Sequence, residues 1–419
     1  MLHLPEIRSL RALSADGRLL FGTRMVRMFA YGFLSVVLAL YLAQVGLTEP
    51  QIGALLSWTL VGDAIISLWI TGLADRLGRR RMLIIGAGLM VFAGMVFALT
   101  SNILLLTFAA IIGTISPSGN EVGPFQPIEQ AALPQTAPDS YRTQVFAWYS
   151  LGGSLATALG ALCSGGLASR LQSAGSTPLE SYRVIVVGYA LLGIVLALLF
   201  SRLSPTAEVS PGAAGATPKS RFGLHRSRHV VFRLAGLFML DAFGGGLIVQ
   251  SLVAYWFYVR FGADPGTLGG IFFGANLFAG LSALAAARVA ARIGLINTMV
   301  WTHIPSNILL MLVPLMPNLP LAIAVLLARF SISQMDVPTR QSYLMAVVDP
   351  DERSAAAGVT TIARTAASSL SPAVTGLLLS ASLLSAPFFL AGGLKLVYDL
   401  ALYRSFRALK PPEERALAQ

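Results

Sequence analysis

A chain of 419 residues that is 55% hydrophobic and 12% charged carries about half the charge of a soluble domain, where roughly a quarter of residues are charged. Its mean hydropathy of +0.71 makes lipid the solvent for most of the chain. The net charge of +11 sits on the flanks of apolar runs rather than in a free basic stripe, which excludes a nucleic-acid partner. Cys163 is the single cysteine, so neither an intrachain disulfide framework nor a cysteine metal site is expected.

The first 24 residues carry Arg8, Arg11, Arg18 and Arg24 with no early apolar core, which argues against a cleavable signal. Leu4, Ile7, Leu10 and Leu13 recur every three residues. Residues 1–24 are therefore expected to form a cytoplasmic amphipathic segment on the inner surface. Twelve apolar runs follow, each near the roughly 20 residues that a crossing needs. They are 25–45, 52–74, 81–100, 103–133, 143–170 and 183–203 in a first set. The second set is 230–258, 266–290, 296–316, 319–347, 354–383 and 385–406. The expected fold class is an all-α membrane protein with a six-helix bundle over 25–203, a cytoplasmic linker over 204–229, a second bundle over 230–406 and a tail over 407–419. The linker is rich in Pro, Gly, Ala and Ser, a composition of flexible connectors.

Of the 30 lysines and arginines, 23 fall in loops, tails and span ends on the side of the N-terminus. Arg170, Arg183 and Arg260 fall on the other side, and Arg329, Arg340, Arg364 and Lys395 lie within spans. Under the positive-inside rule both termini are cytoplasmic. The two halves also repeat. Gly46 to Gly53 aligns with Gly262 to Gly269 at an offset of 216, and Arg76-Leu-Gly78 with Arg292-Ile-Gly294 at the same offset. Farther on the offset is 211, pairing Pro127 with Pro338, Gln130 with Gln341, Arg142 with Arg353 and Gly165 with Gly376. A duplicated six-helix unit with one shortened loop produces this pattern, and such repeats hold a binding site between the bundles near the midplane.

After the second run comes Gly72-Leu-Ala-Asp75-Arg76-Leu-Gly78-Arg79-Arg80-Arg81. This resembles the G-x-L-a-D-r-x-G-r-r/k signature of the major facilitator superfamily at every signature position. Gly72 suits close helix approach, Gly78 a relaxed backbone, Asp75 a helix N-terminus, and the arginines an anionic leaflet. The second copy, Ala287 to Gly294, lacks the Asp. The resemblance implies secondary transport by rocking of two bundles, a monomer, and a small-molecule substrate with protons as partners. Two signatures of proton-coupled members are missing. Span four lacks their arginine, and the antiporter G-P-x-x-G-G appears only as Gly160-Ala-Leu-Cys-Ser-Gly165-Gly166.

Ionisable groups within spans point to function. Glu121 and Asn120 lie in Ser116-Pro-Ser-Gly-Asn-Glu-Val-Gly-Pro124, where prolines and glycines should open span four. Glu121 is a candidate for taking up a proton or a cation. Asp241, ahead of Gly244 to Gly246 and Gln250, is a second, expected to pair with Arg27 across the bundles. Arg329 and Asp336, seven apart, should share a face, and Arg329 needs a carboxylate or an anionic substrate. Asp63 and Asp336 complete the proton or cation candidates; Asn276, Asn307, Gln334 and Arg364 join Asn120, Gln250 and Arg329 as substrate candidates. Glu129, Arg142, Arg340 and Arg353, with Asp349, Asp351 and Glu352, are expected to form gating ion pairs at the inner ends of spans. Lys395 and Asp399 should pair along span twelve. Tyr31, Tyr255 and Trp256 are candidates to line the cavity.

No nucleotide-binding loop, metal cluster or nucleophile arrangement occurs, so neither ATP, a cofactor nor catalysis is expected. The reading favoured by the resemblance is proton-coupled efflux of a small organic or drug-like compound from the cell across its inner membrane. The alternative is a carrier for a small organic or phosphorylated anion held by mid-membrane arginines.

Overall fold

The computed structural model describes residues 13–133, 142–204, 225–349 and 351–409. Leu4, Ile7 and Leu10 of the amphipathic segment, linker residues 205–224 and tail residues 410–419 lie outside that range. The helices are α1 (Ala15–Ser35), α2 (Leu38–Gln44), α3 (Glu49–Leu77), α4 (Arg79–Leu99), α5 (Ile103–Ile112), α6 (Phe125–Ala132), α7 (Arg142–Ser173) and α8 (Pro178–Phe200) in the first half. The second half holds α9 (Arg228–Gly246), α10 (Gln250–Phe261), α11 (Pro265–Ile293), α12 (Leu295–Leu312), α13 (Leu319–Phe330), α14 (Asp336–Val347), α15 (Arg353–Ser380) and α16 (Ala386–Phe406).

These form twelve columns, six per half. Eight helices, with Arg228–Phe261 taken as one, are long and apolar enough to cross a membrane alone, and the pair α1 and α2, bent by 42°, makes a ninth. The other three columns fall short for visible reasons. Columns four and ten are split into α5 and α6, and α13 and α14, while α15 carries Thr360, Thr361, Arg364, Thr365, Ser368, Ser369 and Ser371 along its length. α1 already begins at Ala15, so residues 15–24 are continuous with the first crossing.

Local signals set the helix starts. Thr48 and Gln51 form a capping box, and Asp264, its equivalent at an offset of 216, accepts from the N–H groups of Gly266 and Thr267. Asn102 and Asn318, at the same offset, cap α5 and α13. Each cap satisfies backbone donors that a helix start leaves open. The change of offset from 216 to 211 has a definite place. α5 and α13 start at equivalent positions, but the break after α5 runs over 113–124 while that after α13 runs over only 331–335. The extra residues thus lie inside the fourth column, not in a shortened loop.

The halves close on one another near the face remote from the termini. A Cβ on Gly53 of α3 would stand 2.4 Å from the Pro372 carbonyl oxygen and 2.9 Å from Gly376 Cα of α15. The equivalent crossing brings Gly165 of α7 against Gly269 of α11, where a Cβ would stand 2.7 Å from the facing Cα. Only glycine permits backbones this close. Hydrogen bonds cross the same interface. The Tyr255 hydroxyl donates to Glu49 at 3.0 Å, the Ala373 N–H to Ser57 Oγ at 2.9 Å, and the Ser251 N–H to the Pro117 carbonyl at 3.0 Å.

Candidate functional site

Two buried ion networks stand at and below the level of the breaks, one in each half. In the first half, α1 supplies Arg24 and Arg27 and the fourth column supplies Glu121 and Glu129. Arg27 donates to Glu121 at 2.7 Å and, through two nitrogens, to both Glu129 oxygens at 2.7 Å. Arg24 donates to Glu121 at 2.6 Å and to the Tyr149 carbonyl at 2.9 Å. Its guanidinium carbon stands 4.0 Å from the Tyr149 ring centroid. The Tyr149 hydroxyl donates to Glu129, and Thr23 adds a bond of 3.1 Å. Arg27 and Glu129 are fully buried, and two bases meet two carboxylates.

The break in the fourth column is held by side chains. Asp63 accepts from the Gly123 N–H at 2.6 Å, Tyr31 donates to the Val122 carbonyl at 3.0 Å, and Tyr189 donates to the Thr114 carbonyl. This is the requirement for non-helical backbone at membrane depth. Asp63 and Tyr31 thus hold the break, and Asn120 is an exposed residue of it. A hydrogen-bond chain joins three columns at this level. Asn276 donates to Gln250 at 3.0 Å, and Gln250 donates to Ser35 at 2.8 Å.

In the second half Asp241 is the centre. It accepts from Arg340 at 2.9 Å, Arg364 at 3.2 Å and Lys395 at 2.5 Å. Asp336 shares Arg340 at 3.0 Å. Behind them His303 Nδ1 stands 2.8 Å from Asp399, which also accepts from Asn307 at 3.0 Å. Three bases therefore meet two carboxylates, and the third carboxyl, Asp399, is held by His303 and Asn307. Arg329 is a fourth base, 9% exposed, its guanidinium carbon 4.8 Å from the Phe330 ring centroid. Among the described residues it forms no ion pair, its Nε has no hydrogen-bond partner, and neither does Ser333 Oγ four residues on.

The structure corrects several expectations. Asp241 does not meet Arg27; each base-carboxylate set closes within its own half. Lys395 does not pair with Asp399, because Asp241 takes the ammonium and His303 with Asn307 takes Asp399. Arg329 and Asp336 do not continue one helix face, since the break at 331–335 separates them and Asp336 turns to Arg340. Asn307 belongs with Asp399 rather than with Gln250 and Asn276. Gln334 lies in the break, its N–H 3.3 Å from Ser282 Oγ. Glu129 and Arg340 do form inter-helix ion pairs, Glu129 with Arg27 of α1 and Arg340 with Asp241 of α9, each buried within its own half. Glu352 instead accepts from the N–H groups of Arg226 at 2.7 Å and Ser227 at 2.8 Å. Arg353 is exposed at the start of α15. Trp256 is buried and packs against Phe388 at 4.7 Å between centroids.

In the motif after α3, Gly78 has φ of +102° and ends one helix as the next begins, as a relaxed backbone requires. Gly72 is no close-approach point, since a Cβ there would meet nothing within 4 Å. Arg79 is buried and Arg80 donates to the Ser201 carbonyl. The side chains of Asp75, Arg76 and Arg142 lie outside the described residues. Sequence reasoning missed His303 as a site residue, took Arg24 for a flanking charge and gave Arg27 the wrong partner. The available signals were Asn307 one turn after His303, and the unbroken helix that carries both arginines inward.

The Major Facilitator Superfamily profile matches residues 20–372. An "Uncharacterized membrane protein YJR124C" of Saccharomyces cerevisiae is 32% identical over 428 residues, covering 95% of this chain and 96% of its own. Among solved structures, the nucleoside transporter NupG superposes with a TM-score of 0.71 at 14% identity, covering 94% of this chain and 100% of its own. A bacterial homologue of the human lysosomal transporter Spinster, inward-facing and unoccupied, superposes with a TM-score of 0.70 at 17% identity over 97% and 99%.

Proposed function

The chain belongs to the Major Facilitator Superfamily and is a secondary transporter, and we propose that its cargo is a small organic or phosphorylated anion bound at Arg329 and Arg364. The observation that carries this reading is Arg329. A guanidinium keeps its charge in any protein setting, and a buried one without a partner is costly. Arg329 Nε and Ser333 Oγ are buried groups without a hydrogen-bond partner, which a carboxylate or phosphate would satisfy. Arg364 adds the longest of the bonds to Asp241 and a side chain 31% exposed.

The cation-efflux reading loses its support at the same atoms. Glu121 is already held by two arginines and Asp241 by three bases, so neither carboxylate stands open to a cation. Closure at the face remote from the termini supports substrate access from the termini side. With 23 bases on that side against 3 on the other, that side is the cytoplasm, the setting is the cytoplasmic membrane, and the protein works as a monomer driven by an ion gradient.

The test is exchange in proteoliposomes holding the purified chain, using radiolabelled lactate, succinate, glycerol 3-phosphate and inorganic phosphate. Wild type should exchange at least one of these anions, and Arg329→Ala should lower its apparent affinity by roughly tenfold or more, the scale of a lost charged hydrogen bond. Exchange of lipophilic cations instead, undiminished in Arg329→Ala, would overturn the assignment.

A further inference from the structure

Behind the anion site lies an imidazole that the transport reading leaves without a role. His303 of α12 is 4% exposed and sits between two carboxylates. Its Nδ1 is 2.8 Å from Asp399 Oδ1 on α16, and its Nε2 is 3.9 Å from Asp241 Oδ1 on α9. An ionised carboxylate only accepts hydrogen bonds, so the Asp399 contact places a proton on Nδ1. In the neutral ring Nε2 then turns its lone pair toward Asp241, a contact of two acceptors that is too long for a hydrogen bond. A proton on Nε2 turns that contact into an attraction. A carboxylate thus faces each nitrogen of the ring, one at hydrogen-bond distance and one beyond it.

We propose that His303 is the proton-binding site of the carrier, and that its protonation loosens Arg364 from Asp241 so that proton and anion are taken up together. The inference rests on the anion reading above. The groups facing His303 are Asp399 and the Tyr398 ring from α16 and Asn307 from its own helix, while Lys395 of α16 holds the same Asp241 oxygen that Nε2 faces. Through Asp241 from α9 it meets Arg340 and Asp336 from α14 and Arg364 from α15. Asp241 already holds three bases. Its bond to Arg364 is the longest, and Arg364 is the most exposed of the three. A fourth positive charge on the Asp241 side draws the carboxylate inward and weakens that outermost bond first. Arg364, with Arg329, is then free to hold an anion. No covalent bond other than that to the proton is made or broken.

By reciprocity, an anion on Arg364 must favour the proton on His303 by the same factor. Imidazole is the side chain suited to such a switch, because its unperturbed charge change falls between about pH 5 and about pH 8. The site makes the carrier a proton-anion symporter.

Two readouts separate this proposal from the anion reading. The first needs no substrate. Nitrogen NMR of histidine-labelled full chain in nanodiscs, with the His303 signals assigned by their loss in His303→Gln, follows both ring nitrogens from about pH 8 to about pH 5. Nδ1 should stay protonated throughout while Nε2 gains a proton on acidification; a ring that remains neutral overturns the proposal. The second uses the four anions in proteoliposomes. His303→Gln, its folding checked by thermal unfolding, should exchange anion with a weakened apparent affinity that no longer varies with pH, and lose accumulation driven by an acid exterior. Accumulation at the wild-type level in His303→Gln overturns the proposal. If Nε2 titrates but wild type exchanges none of the anions, the symport proposal fails with the anion reading, and His303 stands only as a proton-binding group.

Discussion

Glu129 and Arg340 occupy equivalent positions of the repeat, at the offset of 211, and carry opposite charges. In the first half Glu129 of α6 receives Arg27 from α1; in the second, Arg340 of α14 reaches Asp241 on α9. The same crossing of column one on four, and seven on ten, is thus bolted twice with the polarity reversed. Removing one partner strands a buried charge. Glu129→Gln should destabilise the protein by about 3–5 kcal/mol, and Arg27→Met together with Glu129→Leu by much less, since an apolar pair of similar volume replaces a buried ion pair at little cost. Thermal unfolding in detergent reads the difference. Glu352, outside the spans, makes a pH prediction. Its burial raises the pKa, but the N–H groups of His225, Arg226 and Ser227 outweigh this and hold it at about 2, below the usual 4.5. A depressed carboxylate stabilises the ionised fold, so its contribution is complete above pH 4.5 and is lost as the pH falls through about 2. Hydrogen exchange at Arg226 and Ser227 should therefore be slow at neutral pH, and faster in Glu352→Gln. Arg329 was legible in the sequence because a base in an apolar run has few neutral explanations. His303 was not legible, because its carboxylate partners arrive from two distant helices.

Among the elements, the four broken columns are one, four, seven and ten, the first and fourth of each half. Proline and glycine in 113–124 announced the fourth. The breaks after Ser35 and Gly246 carry weaker marks, and the Gly244 to Gly246 run ends α9 rather than bending it. The glycine pairs were visible as repeat matches, but a linear pattern does not tell which glycine faces which, since Gly53 meets Gly376 and its repeat equivalent Gly269 meets Gly165. These crossings hold the far face shut. A Cβ on Gly376 would stand 2.4 Å from the Glu49 carbonyl, a distance no small adjustment absorbs. Gly376→Val should therefore shift the carrier away from this closed arrangement. A cysteine introduced at Ser57, in a Cys163→Ser background, should then react with a water-soluble maleimide several times faster than in the same protein with Gly376.

For the molecule as a whole, composition and hydropathy were enough to expect an all-α chain of many crossings in lipid, and the family match over 20–372 agrees. What they could not carry was the balance of charge between the halves. The first network pairs two bases with two carboxylates; the second sets three bases on two carboxylates, leaves Asp399 to His303, and keeps Arg329 beside them. The proposed sign of the cargo rests on Arg329, and everything proposed for transport depends on it. Thermal unfolding of purified protein across a panel of small anions and lipophilic cations tests it without assuming a direction or a coupling ion. A ligand that binds only the folded carrier raises Tm, by about 2.7 kcal/mol of stabilisation at a hundredfold excess over Kd. One or more anions should raise Tm in wild type and fail to do so in Arg329→Ala, while the cations do nothing. Stabilisation by a cation, retained when Arg329 is removed, with no response to any anion, would contradict the assignment.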